Sequence, residues 1–153
     1  RVWLRTASVG TGSIRIGIDG QTTETITPLT SAGFTELRSA EEVDQTIPNA
    51  NGTMLLVFNS VCGCAAGTCR PGVKLALNNS TKKPDHLATV FAGQDTDATA
   101  AARKYTLPYP PSSPSIALFK DGKLVHLVER HMIEGRSAQM IADHLNAAFE
   151  EFC

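Results

Sequence analysis

Thr53, Met54, Leu55, Leu56, Val57 and Phe58 form a short block rich in apolar and branched residues. A run of this kind is the pattern of a strand covered on both faces. Residues 87–92, Leu-Ala-Thr-Val-Phe-Ala, repeat the pattern and predict a second buried strand. Between them Ala65, Ala66, Val73, Leu75, Ala76 and Leu77 supply the apolar positions of a helix, which Asn78, Asn79 and Ser80 bring to a stop. After the second strand Asp95 is placed to cap an alanine-rich helix running to about Tyr105. Strand, helix, strand and helix in this order predict an α/β domain with a parallel pair joined by a right-handed crossover.

The chain then changes character. Pro108, Pro110, Pro111 and Pro114 precede the apolar run 115–119, the turn Lys120-Asp121-Gly122-Lys123 and a second run, 124–128. Asp-Gly between two such runs predicts an antiparallel hairpin. Residues 137–152 close the chain as an amphipathic helix, with Met140, Ile141, Leu145, Ala148, Phe149 and Phe152 as its packing face. Earlier, Phe34 and Leu37 precede Ser39, which suits a helix cap, with Glu42 completing a capping box. The globular pattern begins at Leu29, so the expected domain spans 29–153. Residues 1–28, rich in Gly, Thr and Ser, are read as a leader, flexible or an added edge strand; its one alternating patch is Ile14, Ile16 and Ile18 before Asp19-Gly20.

Chemistry enters where the first strand turns into its helix. Asn59-Ser60-Val61-Cys62-Gly63-Cys64-Ala65-Ala66-Gly67 puts two thiols one residue apart at that junction. A cysteine there meets unpaired backbone N–H groups and the positive end of the helix dipole, so its thiol ionises below the usual value of about 8.5. On a regular helix the Cys62 and Cys64 side chains would point about 200° apart, so a bridge between them requires the first turn to unwind. Gly63 makes that distortion feasible. A bridge through so tight a ring suits oxidising or isomerising roles better than strong reduction. In an alternative route Cys62 alone takes over a small thiol from a mixed disulfide, and Cys64 or an external thiol releases it. Cys69 lies about 10 Å further along the helix, too far for a bridge to Cys62, and is read as a packing residue. Cys153, the last residue of the sequence, is expected to be exposed.

Thiolates and imidazoles are also ligands of zinc and iron–sulfur centres. The spacing argues against a metal: there is no Cys-x-x-Cys pair, and His86, His126, His131 and His144 are scattered over other elements. The 153 residues are 42% hydrophobic with net charge −1, which suits a single globular domain and offers no basic footprint for nucleic acid. Neither a membrane-length apolar run nor a secretory signal pattern is present, so a cytoplasmic setting is expected, where paired cysteines are catalytic more often than structural.

The element order resembles the thioredoxin fold, a central mixed sheet flanked by helices. Longer motifs resemble the bacilliredoxin family more closely. They are Ser-Ala-Gly-Phe-x-Glu-Leu (31–37), Ala-Glu-Glu-Val (40–43), the stretch 59–67, Arg70-Pro71, Val-Phe-Ala-Gly-Gln-Asp (90–95), Pro-Ser-Ser-Pro-Ser (111–115), Arg130-His131-x-Ile133-Glu134-Gly135 and the terminal Cys153. Cys69 and the leader have no counterpart in the family pattern. The resemblance implies a thiol–disulfide oxidoreductase that needs no bound cofactor and no metal. Its partners would be proteins carrying mixed disulfides with a low-molecular-weight thiol, bacillithiol foremost, and weak disulfide isomerisation is a further implied role. Cys62 is then the attacking thiol and Cys64 the resolving one. Pro114 matches the cis proline that faces the cysteines in thioredoxin-like proteins, and Gly63, Ser113 and Pro114 are the residues expected to hold the substrate. Pro71 matches a kink in the active-site helix. Arg130, His131 and Glu134 are read as a strand-end ion pair and not as acid–base partners.

Two readings of other classes compete. A metal-binding or metal-transfer protein would use Cys62, Cys64 and a third ligand, and would purify with metal and with unreactive thiols. A thioredoxin-fold binding module would show ordinary thiol reactivity. Client proteins, electron-flow direction and oligomeric state are not encoded in any motif.

Overall fold

The computed structural model describes residues 27–153 and, as backbone, the strands β1 (Trp3–Val9) and β2 (Gly12–Gly17), which pair antiparallel as a separate two-stranded sheet. Ile14 and Ile16 fall on β2, whereas Ile18, Asp19 and Gly20 lie outside the described residues. The helix α1 (Thr27–Thr30), the short strand β3 (Thr35–Glu36), α2 (Ala40–Thr46) and β4 (Thr53–Asn59) come next. A π-helical turn (Ala65–Cys69) runs straight into α3 (Arg70–Asn79), followed by β5 (His86–Phe91), α4 (Thr96–Lys104), β6 (Ser115–Lys120) and β7 (Lys123–Val128). The short α5 (Arg130–Ile133) and the long α6 (Ala138–Phe152) complete the chain.

β4 is central to a five-stranded sheet ordered β3-β5-β4-β6-β7. It runs parallel to β5 and antiparallel to β6, and β7 lies antiparallel at the edge. All seven residues of β4 are buried, and strand alternation divides them between two cores. Leu55 and Val57 join Val73, Ile141, Leu145 and Phe149 on the α3/α6 side. Met54, Leu56 and Phe58 join Val43, Ile47 and Ala102 on the α2/α4 side. The apolar run therefore reads as it does because both faces of β4 are roofed by helices. Asp121 and Gly122 both take positive φ, 49° and 78°, as a two-residue turn of the hairpin requires.

Three local expectations need correction. Glu42 carboxylate accepts from the Arg38 N–H and not from that of Ser39, so the reciprocal half of the box is displaced by one residue, although Ser39 Oγ does cap the Glu42 N–H. Asp95 occupies the N-cap of α4 without a capping bond from its side chain. Met140 is 46% exposed: the buried stripe of α6 is Ile141, Ala142, Leu145, Ala148 and Phe149, and Met140 lies one step of helical rotation off it.

The close approach of α3 to α6 depends on Gly72. A Cβ there would lie 2.7 Å from Ile141 Cβ and 3.1 Å from the Ala138 carbonyl oxygen. Only a residue without a side chain lets the helix that carries the cysteines lie this near its neighbour.

Candidate active site

β4 carries the chain to Asn59, and Ser60 and Val61 then lead to Cys62, whose carbonyl accepts from the Ala65 and Ala66 N–H groups and so opens the helix. Cys62 therefore stands before the first turn, free of the helical rotation that would separate it from Cys64. The two sulfurs lie 2.7 Å apart, both are free thiols, and both side chains are partly exposed. Gly63 between them is exposed. Val61, 52% exposed, extends the surface next to the thiols with an apolar side chain.

Cys62 Sγ collects two further contacts. The Ser60 hydroxyl donates to it at 3.1 Å, and the Ala65 N–H points at it from 3.4 Å. Ser60 Oγ also accepts from the Cys62 N–H at 3.3 Å, so one hydroxyl positions both backbone and sulfur. Partial burial pushes the Cys62 thiol up, but hydrogen bonding from Cys64, Ser60 and Ala65 outweighs it and leaves the thiol below its ordinary value. Cys64 moves the opposite way: burial, its hydrogen bond with Cys62 and the charge on Cys62 all raise it, against an opposing pull from Arg130. The two thiols are thus pushed in opposite directions, which makes Cys62 the more acidic of the pair.

The π-helical turn follows directly. The Arg70 N–H reaches back five residues to the Ala65 carbonyl, and the Thr68 hydroxyl satisfies the Cys64 carbonyl at 2.8 Å. The wider turn accommodates Pro71, which lacks an N–H and carries a ring that would crowd a regular helix. Pro71 thus sits where the helix passes from π to α geometry rather than ending it.

Arg70 is buried beneath the site and donates from one nitrogen to Asn59 Oδ1 and to the Ser60 carbonyl, both at 3.0 Å. It ties the end of β4 to the start of α3, which holds the Ser60 hydroxyl under Cys62. Cys69 is fully buried in the core, and burial pushes its thiol up to about 12. Cys153 is exposed at the other end of the molecule, where Lys120 at the end of β6 donates to the neighbouring Phe152 carbonyl.

The β4–β6 ladder ends at the pair Phe58–Ser115, so the Ser113–Pro114 segment that leads into β6 and the Asn59–Ser60 segment that leaves β4 lie at the same end of the sheet. The Ser113–Pro114 peptide is cis, as is Leu107–Pro108, and Pro114 is buried while Ser113 is partly exposed. Arg130 donates to the Ser113 carbonyl at 3.1 Å and pairs with Glu134, so the expected strand-end ion pair is present and is also fastened to the proline loop. Cys62, Gly63 and Cys64 thus follow the end of β4 at which Ser113 and Pro114 lead into β6. Asn59, Ser60 and Arg70 stand in the sequence motifs without a role attached, Arg130 is expected only as half of an ion pair, and only the hydroxyl two residues before Cys62 offered a local signal. Among the described residues, no group of three His, Cys, Asp or Glu side chains is placed to hold a metal ion; His126 and His144 meet each other, Nε2 to Nε2 at 2.9 Å. No helix among the described residues is long and apolar enough to cross a membrane.

A family model described as Disulphide isomerase matches residues 21–153. A bacilliredoxin of Cytophaga hutchinsonii is 62% identical over 123 residues, covering 80% of this chain and 90% of that protein. A bacilliredoxin of Geobacillus kaustophilus is 51% identical over 125 residues, covering 82% and 86%. Among solved structures, thioredoxin of Fasciola hepatica superposes with a TM-score of 0.54 at 20% identity, covering 78% of this chain and 100% of that one. Mitochondrial thioredoxin 3 of Saccharomyces cerevisiae gives 0.53 at 18% identity, covering 81% and 98%. At these identities the structural likeness establishes the thioredoxin-like fold and nothing finer.

Proposed function

Because the chain belongs to the bacilliredoxin family of thiol–disulfide oxidoreductases, we propose that it removes a low-molecular-weight thiol, bacillithiol foremost, from proteins that carry it as a mixed disulfide. Cys62 attacks as a thiolate, Cys64 resolves, and Gly63, Ser113 and Pro114 border the bound substrate. The observation that carries this reading is the asymmetry of the thiol pair: Cys62 Sγ receives the Ser60 hydroxyl and the Ala65 N–H, whereas Cys64 is driven toward its protonated form.

The steps balance as exchange. Cys62 Sγ⁻ bonds to the sulfur of the small thiol, the mixed disulfide breaks, and the client sulfur leaves as a thiolate that takes a proton from water. Cys64, once deprotonated, then attacks Cys62 Sγ and expels the small thiol, leaving a Cys62–Cys64 disulfide that a further pair of thiols reduces. The same attack on a protein disulfide followed by reclosure is isomerisation. No bound cofactor is needed. The reading places the activity in residues 29–153 and the protein in the cytoplasm, where thiols are kept reduced.

The deciding experiment exposes reduced wild type and Cys64→Ala briefly to a reporter protein bearing bacillithiol, then records intact masses. The expected result is one bacillithiol added to Cys62 in Cys64→Ala and released by wild type. Inert thiols, or an adduct that maps elsewhere, would remove the proposal.

A further inference from the structure

Arg130 opens α5 immediately after β7 and is held by three bonds, two of them to the proline loop. Its main-chain N–H donates to Ser112 Oγ at 3.4 Å, its Nη1 donates to the Ser113 carbonyl at 3.1 Å, and its Nε pairs with Glu134. Ser113 leads into β6 at the end of the sheet where β4 leads out toward Cys62, so the guanidinium is fastened at the same end of the sheet as the thiol pair. Its positive charge is felt by Cys64 and, more weakly, by Cys62. A guanidinium carries five N–H donors in a rigid fork. Two are occupied here, leaving three on a side chain that is 46% exposed. Arg70 differs on each count, since it is buried and bound to the strand end it secures.

Planar, unsaturated donors of this kind match a carboxylate. We propose that Arg130, steadied by Glu134 and the Ser112–Ser113 segment, forms a subsite for an acidic group on the small thiol, engaged as that thiol passes from the client to Cys62. This deepens the exchange reading and rests on it. An anionic thiol attached to Cys62 is then held at the end of the sheet that also carries Cys64, the sulfur that expels it. The covalent step is the one given above: one disulfide is exchanged for another, and the carboxylate takes no part in the electron balance.

The test is made in the Cys64→Ala background, where the adduct is trapped, and uses one reporter protein carrying, in turn, mercaptopropionate, mercaptoethanol or cysteamine as a mixed disulfide, with the rate of adduct formation on Cys62 followed by mass. Comparing Cys64→Ala with and without Arg130→Gln cancels the intrinsic reactivity of each disulfide. The expected result is that Arg130→Gln lowers the rate for the carboxylate about five- to tenfold relative to the neutral thiol, with the loss shrinking as salt is added. Arg130→Lys, which keeps the charge and loses the fork, retains part of the preference. Equal losses for all three thiols would overturn the subsite and assign Arg130 to the thiols themselves or to an acidic group of the client, which is constant across the series. An unchanged ratio would overturn it as well. Absence of any Cys62 adduct in Cys64→Ala with Arg130 intact, even from the neutral disulfide, would instead defeat the exchange reading, and the subsite with it.

Discussion

Replacing Ser60 with alanine removes the hydroxyl that donates to Cys62 Sγ at 3.1 Å and leaves the Ala65 N–H and the Cys64 contact in place. A hydrogen bond to a charged group contributes about 1.5–3 kcal/mol, and water can replace part of it at this partly exposed sulfur, so the low end applies. That loss corresponds to about tenfold less thiolate at pH values where Cys62 is mostly protonated. Each remaining thiolate is more nucleophilic, because reactivity rises with basicity at a Brønsted slope of about 0.4–0.5, a gain of about threefold. The net expectation is alkylation of Cys62 about threefold slower than wild type at acidic pH and about threefold faster at alkaline pH, where both proteins are fully ionised. The two rate profiles should cross. The assay is iodoacetamide labelling across the pH range, with Cys62 quantified by peptide mass and folding checked by thermal melting. Stability carries the same signature. The folded thiol lies below its ordinary value, so its ionised form stabilises the fold fully above that value and the contribution is lost as pH falls through the folded value. Ser60→Ala should therefore be most destabilising at alkaline pH. A variant slower by one constant factor at every pH would refute the reasoning, because it would mean that the hydroxyl governs access to the sulfur and not its ionisation.

Two further substitutions test the scaffold. Gly72→Ala drives a Cβ to 2.7 Å from Ile141 Cβ; overpacking of about 1–3 kcal/mol exceeds the gain of about 1 kcal/mol in helix propensity, so the urea midpoint should fall with an unchanged slope, and a stabilised variant would contradict the tight α3–α6 crossing. Cys69 is an acid whose folded value is raised, to about 12 from 9.0. Above 9.0 the unfolded chain releases this proton while the fold retains it, so wild type should lose about 1.4 kcal/mol per pH unit that Cys69→Val does not lose. Urea titrations of the pair at neutral and alkaline pH measure the difference, and parallel curves would refute it.

Much of the fold is legible because its signals are local. The run 53–58 and its counterpart 87–92 are apolar on alternate and intervening positions alike, and only a strand roofed on both faces has use for that pattern. Asp121-Gly122 announces a turn because few residues tolerate positive φ. The displaced capping bond at Glu42 and the exposure of Met140 are harder to see, since each turns on one residue of register or about 100° of rotation. The π-helical turn is harder still, although Pro71 marks the place where a regular helix meets difficulty.

The sequence by itself determined the elements, their order and the junction that brings two thiols to the start of a helix, because periodicity, turn chemistry and spacing act over a few neighbouring residues. Tertiary structure alone decided what surrounds those thiols. Arg70 reaches back across the strand–helix junction to Asn59 and Ser60, and Arg130 meets Ser113 from across the β6–β7 hairpin. Gly72 matters only because Ile141 arrives opposite it. These partners are set by strand order and helix crossing, which no local pattern records. The electrostatics of a partly buried sulfur depends on every dipole and charge within a few ångströms, whatever its distance along the chain.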